Sequence, residues 1–397
     1  MSQFKQSVLT INGGSSSIKF ALYQIEDPRV RTLSGQIDRI GLPGTQLTFS
    51  DISKDPQGRS AVDISDRDSV VDFLIDWLER QPGFTRVCAV GHRVVHGMQH
   101  SEPEIMSQSL LDELHRISAY DPDHLPGEIE LIKKFSERFP HVPQVACFDT
   151  AFHHCLPRVA RLLPIPRRFD ALGIQRYGFH GLSYSYLMQA LAQVGSKQAA
   201  EGRIILAHLG NGASLAAVHD GRSIDTTMGF TPSGGLPMGT RSGDLDPGVA
   251  WYMMQSENLT TEQFKLLINH ESGLLGISET SSDMRDLTKQ EPTDERAAEA
   301  VALFCYQVKK CIGAYAAALG GLDTLVFTGG IGENAPTVRA RICDGLEFLG
   351  IELELNRNAK NEDVISAQAG RVTVRVICTD EEQMIATMVV QLLGLTN

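Results

Sequence analysis

No apolar run in this 397-residue chain approaches the roughly 20 residues that a membrane-spanning helix needs, so a membrane is not an expected partner. The first residues, Met-Ser-Gln-Phe-Lys-Gln, lack the apolar centre of a signal peptide. The seven cysteines are odd in number, scattered and never in a C-x-x-C pair, which excludes a disulfide framework and points to a reducing cytoplasm. Basic residues are in deficit, 36 Lys and Arg against 48 Asp and Glu. The resulting net charge of −12 excludes nucleic acid or an anionic membrane surface as the main partner. An anionic substrate would therefore need a local cluster of Arg or Lys. Neither G-x-x-x-x-G-K-[ST] nor G-x-G-x-x-G occurs, so the two commonest nucleotide fingerprints are missing.

What is present is an α/β pattern. The length predicts two domains. Residues 7–12 and 18–25 read as paired strands, 69–81 as a helix by its apolar spacing, and 87–95 as a strand entering a Gly-His-Arg loop. Helices follow at 108–118 and 127–139, then a strand over 144–152 ending near Asp149. A second pass begins near residue 203 with strand, turn, strand, an Asp-Gly hairpin and a further strand. "LTINGGSSSIKFAL" and "LAHLGNGASLAAV" share one design, two apolar strands around a turn of Gly, Asn, Ser and Ala. One supersecondary unit is used twice. Residues 291–319 read as a long buried helix, 322–336 as a strand feeding a Gly-rich turn, 335–350 as a helix, and 371–394 as strand, acidic turn and helix.

Three Gly-rich turns thus follow strands, at 12–17, 210–214 and 328–334. Glycine lets backbone N–H groups approach an anion, and serine adds hydroxyl donors. With Lys19 beside the first, the three together suggest a nucleotide phosphate cradle.

The segments "INGGSSSIKF", "GHRVVHG", "FDTAFH", "RYGFHGLS", "HLGNGAS", "MGFTPSGGLPMGTRSGDLDPG", "SGLLGISETSSDMRDL", "FTGGIGENAP" and "TDEEQMIA" resemble those of the acetate kinase family, which includes the propionate kinases. The likeness runs from residue 9 to 386. It implies two duplicated actin-like (ribonuclease H-like) ATPase domains with the nucleotide in the cleft between them. The N-terminal domain would comprise 1–149 plus 384–397, and the C-terminal domain 150–383 would carry most of the nucleotide site. The implied reaction is reversible phosphoryl transfer from ATP to acetate, giving acetyl phosphate and ADP, with Mg²⁺ or Mn²⁺. A homodimer is also implied.

Phosphoryl transfer asks for alignment and charge neutralisation, and a carboxylate nucleophile is already ionised at pH 7, so no general base is needed. The resemblance makes Asp149 an orienting and Mg²⁺-holding residue rather than a proton acceptor. Arg93 would hold the substrate carboxylate and Arg241 the moving phosphoryl group, where a planar guanidinium fork suits both. His180 matches the transition-state-stabilising histidine. Val95, Asp123, Phe179 and Pro232 would join Arg93 around the acid, and His124 would lie nearby. Lys19, His208, Leu209, Gly210, Asn211 and Gly212 would face the phosphates. Asp283, Met284 and Arg285, with Gly330, Ile331, Gly332, Glu333 and Asn334, would lie on the adenosine side. Asn12 and Glu381 would attend the metal. His92, His96 and His100 would share a helical face suited to zinc, but the segment reads as strand and loop, so no zinc site is assigned.

Two departures from the family pattern stand out. "PDHLP" (122–126) replaces "PLHNP", putting Asp123 where an apolar residue lines the acyl pocket. Tyr184 stands where histidine is usual. A carboxylate near a bound carboxylate would weaken acetate binding unless it turns away, or would receive the hydroxyl of another acid. Propionate or a hydroxylated short acid is thus the alternative substrate. A carboxylate-independent ATPase is the remaining reading.

Overall fold

The computed structural model describes residues 5–14, 17–41, 44–51, 54–62, 64 and 66–395. The chain divides into two compact units, Met1–Ala151 with Asp380–Asn397, and Phe152–Thr379. The family resemblance implies these divisions at 149/150 and 383/384. Asp380 to Gln383 go with the first unit for a clear reason. Tyr23 donates its hydroxyl to Asp380 Oδ1 at 2.8 Å, and the same oxygen accepts the Gln383 N–H at 2.8 Å, capping the helix that docks there.

The first unit holds an eight-stranded sheet. Its strands are β1 (Ser7–Gly13), β2 (Ser17–Gln24), β3 (Arg31–Asp38), β4 (Gln46–Asp51), β5 (Lys54–Ala61), β6 (Val87–Val94), β7 (Glu104–Ile105) and β8 (Gln144–Phe148). They lie in the order β5-β4-β3-β2-β1-β6-β8-β7. The second unit holds five strands, β9 (Ile204–Leu209), β10 (Ala213–His219), β11 (Arg222–Thr226), β12 (Thr324–Thr328) and β13 (Thr373–Val376), in the order β11-β10-β9-β12-β13. In both, the opening strand pairs antiparallel with the next, which pairs antiparallel with a third. On its other edge it pairs parallel with a strand that in turn pairs parallel with a fifth. The repeat visible in the sequence is therefore a repeat of topology.

Period-two alternation decides what covers each sheet face. In the first unit Leu9, Ile11 and Val90 join Val70, Leu74 and Leu78 of helix Arg67–Glu79 and Phe135 of helix Leu125–Arg138 in one cluster. Gly91 points the other way, toward helix Glu381–Leu392. A Cβ there would meet Ile385 at 2.5 Å and Val389 at 2.7 Å, so the helix seats directly on bare backbone. In the second unit, Tyr184, Leu187 and Leu191 of helix Gly181–Val194 pack on Leu206, Ala216 and Val326. The 24-residue helix Glu295–Ala318 packs on β9 and β10 and on neighbouring helices, burying a stripe that includes Ala297, Val301, Phe304, Val308 and Ile312, spaced three and four apart.

Two expectations are modified, and Arg31–Asp38, Gln46–Asp51 and Lys54–Ala61, to which no element is assigned from the sequence, are β3 to β5. The strand expected over 144–152 stops at Phe148, and Ala151–His153 is a 3₁₀ turn. The third Gly-rich stretch is a short helix, Gly329–Asn334, ahead of the expected helix, which runs over Pro336–Cys343. Glu333 Oε1 explains that helix: it accepts the Gly329 N–H at 2.9 Å and the Thr328 hydroxyl at 3.1 Å, satisfying its first turn from within.

Candidate active site

In parallel sheets, functional groups gather at the carboxyl ends of strands. In the first unit Asn12 lies near the end of β1, Arg93 near the end of β6, and Asp149 directly after β8. Asp149 is fully buried, and its N–H donates to the Val94 carbonyl at 2.9 Å. Arg93 donates through Nη2 to Asp149 Oδ2 at 3.0 Å and through Nη1 to Glu128 Oε1 at 3.4 Å. Burial alone would lower the Arg93 guanidinium, but Asp149, Glu128 and Glu381 outweigh it and hold it above its ordinary value.

Glu128 was not anticipated. Its other oxygen accepts the Val95 N–H at 2.8 Å, so one carboxylate grips both Arg93 and the backbone two residues on. Burial pushes this carboxyl up to about 7, against the pull of Arg93, the Val95 N–H and His124. The signal was present in the sequence: Glu128 falls on the buried stripe with Leu131, Ile132 and Phe135, where a charge is out of place. Arg67 was missed as well. Its Nη1 donates to the Gly14 carbonyl at 2.9 Å, bracing the first glycine turn. Ser15 and Ser16 of that turn lie outside the described residues.

Val95 is buried beside this cluster. Asp123 is half-buried in the turn before helix Leu125–Arg138, and His124 pairs through Nδ1 with Asp121 Oδ1 at 2.9 Å. Asn12 Nδ2 donates to Glu381 Oε2 at 2.9 Å and to Glu382 Oε1 at 3.1 Å, and exposed Lys19 stands opposite Asn12 in the β1–β2 register. Burial and the neighbouring Glu381 raise the Glu382 carboxyl, and Lys19 opposes the shift. The three motif histidines diverge: His92 bonds Gln144 Oε1 at 2.7 Å, His96 Nδ1 accepts the Met98 N–H at 3.1 Å, and His100 bonds Glu104 Oε1 at 2.5 Å.

The second unit gathers the other expected residues around the turn between β9 and β10. Gly210 closes that turn by donating to the Gly212 carbonyl at 2.9 Å. A Cβ on Gly212 would lie 2.9 Å from Arg241 Nη2 and 3.3 Å from His180 Nε2, so both side chains rest against this one glycine. Arg241 is anchored by Nη1 donating to the Pro232 carbonyl at 2.6 Å. Asn211 accepts the Gly239 N–H on its carbonyl at 3.0 Å, tying the turn to the "MGTRSG" loop. His180 precedes helix Gly181–Val194 in the left-handed region, φ 59°, an uncommon conformation for a non-glycine residue. Its ring stacks on His208 with centroids 4.2 Å apart, and its Nδ1 bonds Ser214 Oγ at 2.8 Å. His208 Nδ1 bonds Ser183 Oγ at 2.9 Å. Leu209 and Phe179 are buried, and the Phe179 carbonyl bonds His153 Nε2 at 3.1 Å.

Of the adenosine-side expectations, Gly330 offers bare backbone, with nothing within 4 Å of where a Cβ would stand. Glu333 uses Oε1 internally, also accepting the Thr379 N–H at 3.2 Å. Asn334 donates to the Gly330 carbonyl at 3.1 Å, and Gly332 and Ile331 complete the short helix. Buried Arg339, unforeseen, holds this segment by donating to the carbonyls of Gly332 at 2.8 Å and Glu333 at 3.0 Å. Asp283 caps helix Met284–Gln290 and pairs with exposed Arg285, while Met284 is buried.

Among the described residues no three or more His, Cys, Asp and Glu gather around one point as a metal cage. Mg²⁺ does not require one. It prefers hard oxygen donors and is usually held by one or two carboxylates, with waters and substrate phosphates completing the shell. Asn12 beside the Glu381 and Glu382 carboxylates fits that donor chemistry.

Residues 7–387 match the model of the acetokinase family. An acetate kinase of Rhodopseudomonas palustris is 43% identical over 391 residues, covering 96% of each chain. The crystal structure of Porphyromonas gingivalis acetate kinase has a TM-score of 0.87 at 36% identity, covering 98% of this chain and 100% of that one. A propionate kinase structure from Francisella tularensis has a TM-score of 0.90 at 35% identity, covering 96% and 98%. A match spanning nearly the whole chain, over two units of one repeated topology, makes this protein a member of the acetokinase family.

Proposed function

We propose that the chain is an acetate kinase, transferring the terminal phosphoryl group of ATP to the carboxylate of acetate and back. The observation that carries this reading is the meeting of Arg241 and His180 at Gly212, two donors aimed at one backbone turn of anion-binding type. Donors fixed where charge develops are the main protein contribution to such transfers.

Each residue has a definable part. The acid arrives ionised, and Asp149 accepts from Arg93 rather than taking a proton. A guanidinium has five N–H donors. Arg93 spends one each on Asp149 and Glu128, and the remainder would take the substrate carboxylate. Val95, Phe179 and Pro232 would wall the acyl group. Arg241 and His180 would stabilise the phosphoryl oxygens, while Lys19, His208 and the Gly210–Gly212 turn would hold the phosphates. Asp283–Arg285 and Gly330–Asn334 would hold the adenosine. Asn12 and Glu381 would hold Mg²⁺ or Mn²⁺, with Asp149 nearby on the same unit. The ion would supply neutralisation of phosphate charge when bound.

A second copy of the chain would be the macromolecular partner. Trp251 and Tyr252 on helix Pro247–Ser256, and Leu266, Leu303 and Tyr306 elsewhere on the second unit, are exposed large apolar side chains that such a partner would cover. No helix among the described residues is long and apolar enough to cross a membrane, and we place the enzyme in the cytoplasm.

The test is ADP release from Mg-ATP with acetate, propionate, butyrate, glycolate or no acid. A dominant acetate signal supports the reading. Preference for glycolate or propionate makes Asp123 a specificity residue and shifts the substrate. Release without any acid overturns the kinase reading in favour of a plain ATPase.

A further inference from the structure

Tyr184 and Ser214 are both fully buried in the second unit, and neither has a part in the reaction as described so far. Ser214 Oγ lies 2.5 Å from the Tyr184 hydroxyl and 2.8 Å from His180 Nδ1. We propose that Tyr184 is a positioning residue which, through Ser214, fixes His180 in the tautomer that carries its proton on Nε2. The inference rests on the reading of His180 as a phosphoryl-stabilising group.

A serine hydroxyl has one proton to give and lone pairs to receive. Placed between a phenol and an imidazole, it permits two orders that also use its own proton; accepting from both would leave that buried proton unbonded. Either the phenol donates to serine and serine donates to Nδ1, or Nδ1–H donates to serine and serine donates to the phenol. A phenol, with its pKa near 10, is far more acidic than an alkyl alcohol and the better donor. The first order is therefore favoured. It leaves Nδ1 as acceptor and puts the ring proton on Nε2.

Nε2 is the atom that faces the phosphate turn, 3.3 Å from the Cβ position of Gly212. The relay thus gives the neutral imidazole an N–H donor on the side where anionic oxygens would lie. The ring cannot easily turn to undo this. Its backbone is left-handed, and its face is stacked on His208, which Ser183 holds in the same manner. Two stacked imidazoles are thereby each fixed through Nδ1 by a serine. The use of tyrosine at 184 gives this chain a committed donor at the start of the relay.

The experiment compares Tyr184→Phe, Tyr184→His, Ser214→Ala and His180→Ala, alone and as the doubles Y184F/S214A and Y184F/H180A. Its readouts are kcat, the KM for ATP, and the imidazole tautomer from ¹⁵N–¹H correlation spectra of the neutral form. Tyr184→Phe is expected to lower kcat at least roughly tenfold, with KM for ATP within about twofold, and to populate the Nδ1–H tautomer of His180. Tyr184→His, which keeps a ring donor, restores most of the loss. Y184F/S214A is no slower than S214A, and Y184F adds nothing to H180A. Unchanged kcat and tautomer in Tyr184→Phe, or multiplicative losses in Y184F/S214A, would overturn the relay. If His180→Ala turns over at the wild-type rate, the His180 reading itself fails. If His180→Ala collapses while Tyr184→Phe is silent, only the relay fails.

Discussion

Arg93 and Arg241 are the two guanidinium groups proposed to act in the transfer, and they are held in different ways. Arg93 is gripped by two buried carboxylates, whereas Arg241 donates to the backbone carbonyl of Pro232. A lysine at 241 would keep the charge but lose the planar fork. Arg241→Lys should therefore lower kcat on the order of a hundredfold, the usual loss when one fixed donor is removed, with ATP binding retained by equilibrium dialysis. Unchanged turnover would remove Arg241 from the transfer step. Glu128 makes a separate prediction about pH. Its ordinary value of 4.5 is raised to about 7 in the fold, first by burial and against Arg93, the Val95 N–H and His124, with Asp121 adding to the rise and Arg67 also attracted to it. Between those values the folded protein binds a proton that the unfolded chain does not, so stability falls as pH rises from about 4.5 to about 7 and is level above. Glu128→Gln lacks that loss. The denaturation midpoint of the wild type relative to Glu128→Gln should decline across this window. A flat difference across this window instead would mean that Arg93 keeps Glu128 ionised.

At the level of elements, the motifs were legible wherever the chemistry is written in consecutive residues. The β1–β2 and β9–β10 hairpins and the Asp220-Gly221 turn, both residues with positive φ, follow directly from turn chemistry. The strands β3 to β5 were not legible because Arg31–Asp38 and Gln46–Asp51 are mostly half-buried and carry polar residues on both faces, which blurs the alternation. The helix Gly329–Asn334 was hidden by its glycines. Local propensity reads as a turn, and it is overridden by Glu333 reaching back to its first N–H. Arg67 and Ser214 were silent for a different reason: their partners are distant in sequence, and only folding brings them together. Gly329 shows how demanding such packing is. Its φ is +76°, and a Cβ would stand 2.7 Å from the Leu209 carbonyl oxygen, a backbone atom with little room to yield. Gly329→Ala should cost about 2 kcal/mol or more from the left-handed penalty and the clash together, read as a lower denaturation midpoint, with KM for ATP raised because the β9 turn moves. Full stability in this variant would show that the loop relaxes at no cost.

For the whole molecule, the chain's return to its first unit is the feature with the largest consequence. Helix Glu381–Leu392 is encoded 230 residues after Ala151, yet it packs on β1 and β6 through Ile385 and Val389, and its first turn places Glu381 and Glu382 on Asn12. The first unit cannot bury the Gly91 face of its sheet without it. Ile385 and Val389 are wholly buried, and losing a few such side chains removes about 2–3 kcal/mol each, which exhausts the margin of an ordinary domain. The second unit closes its own sheet with helices Gly181–Val194 and Glu295–Ala318 and needs no part of this segment. A chain ending at Thr379 should therefore keep slow amide exchange in β9, β10 and β12 while β1, β6 and β8 exchange as in an unfolded chain. Hydrogen exchange read by mass spectrometry distinguishes the outcomes. Protection lost throughout would mean that the second unit has no stability of its own. Protection kept throughout would mean that the sheet of the first unit holds without its last helix, and that the duplicated units owe less to their covering layers than their cores indicate.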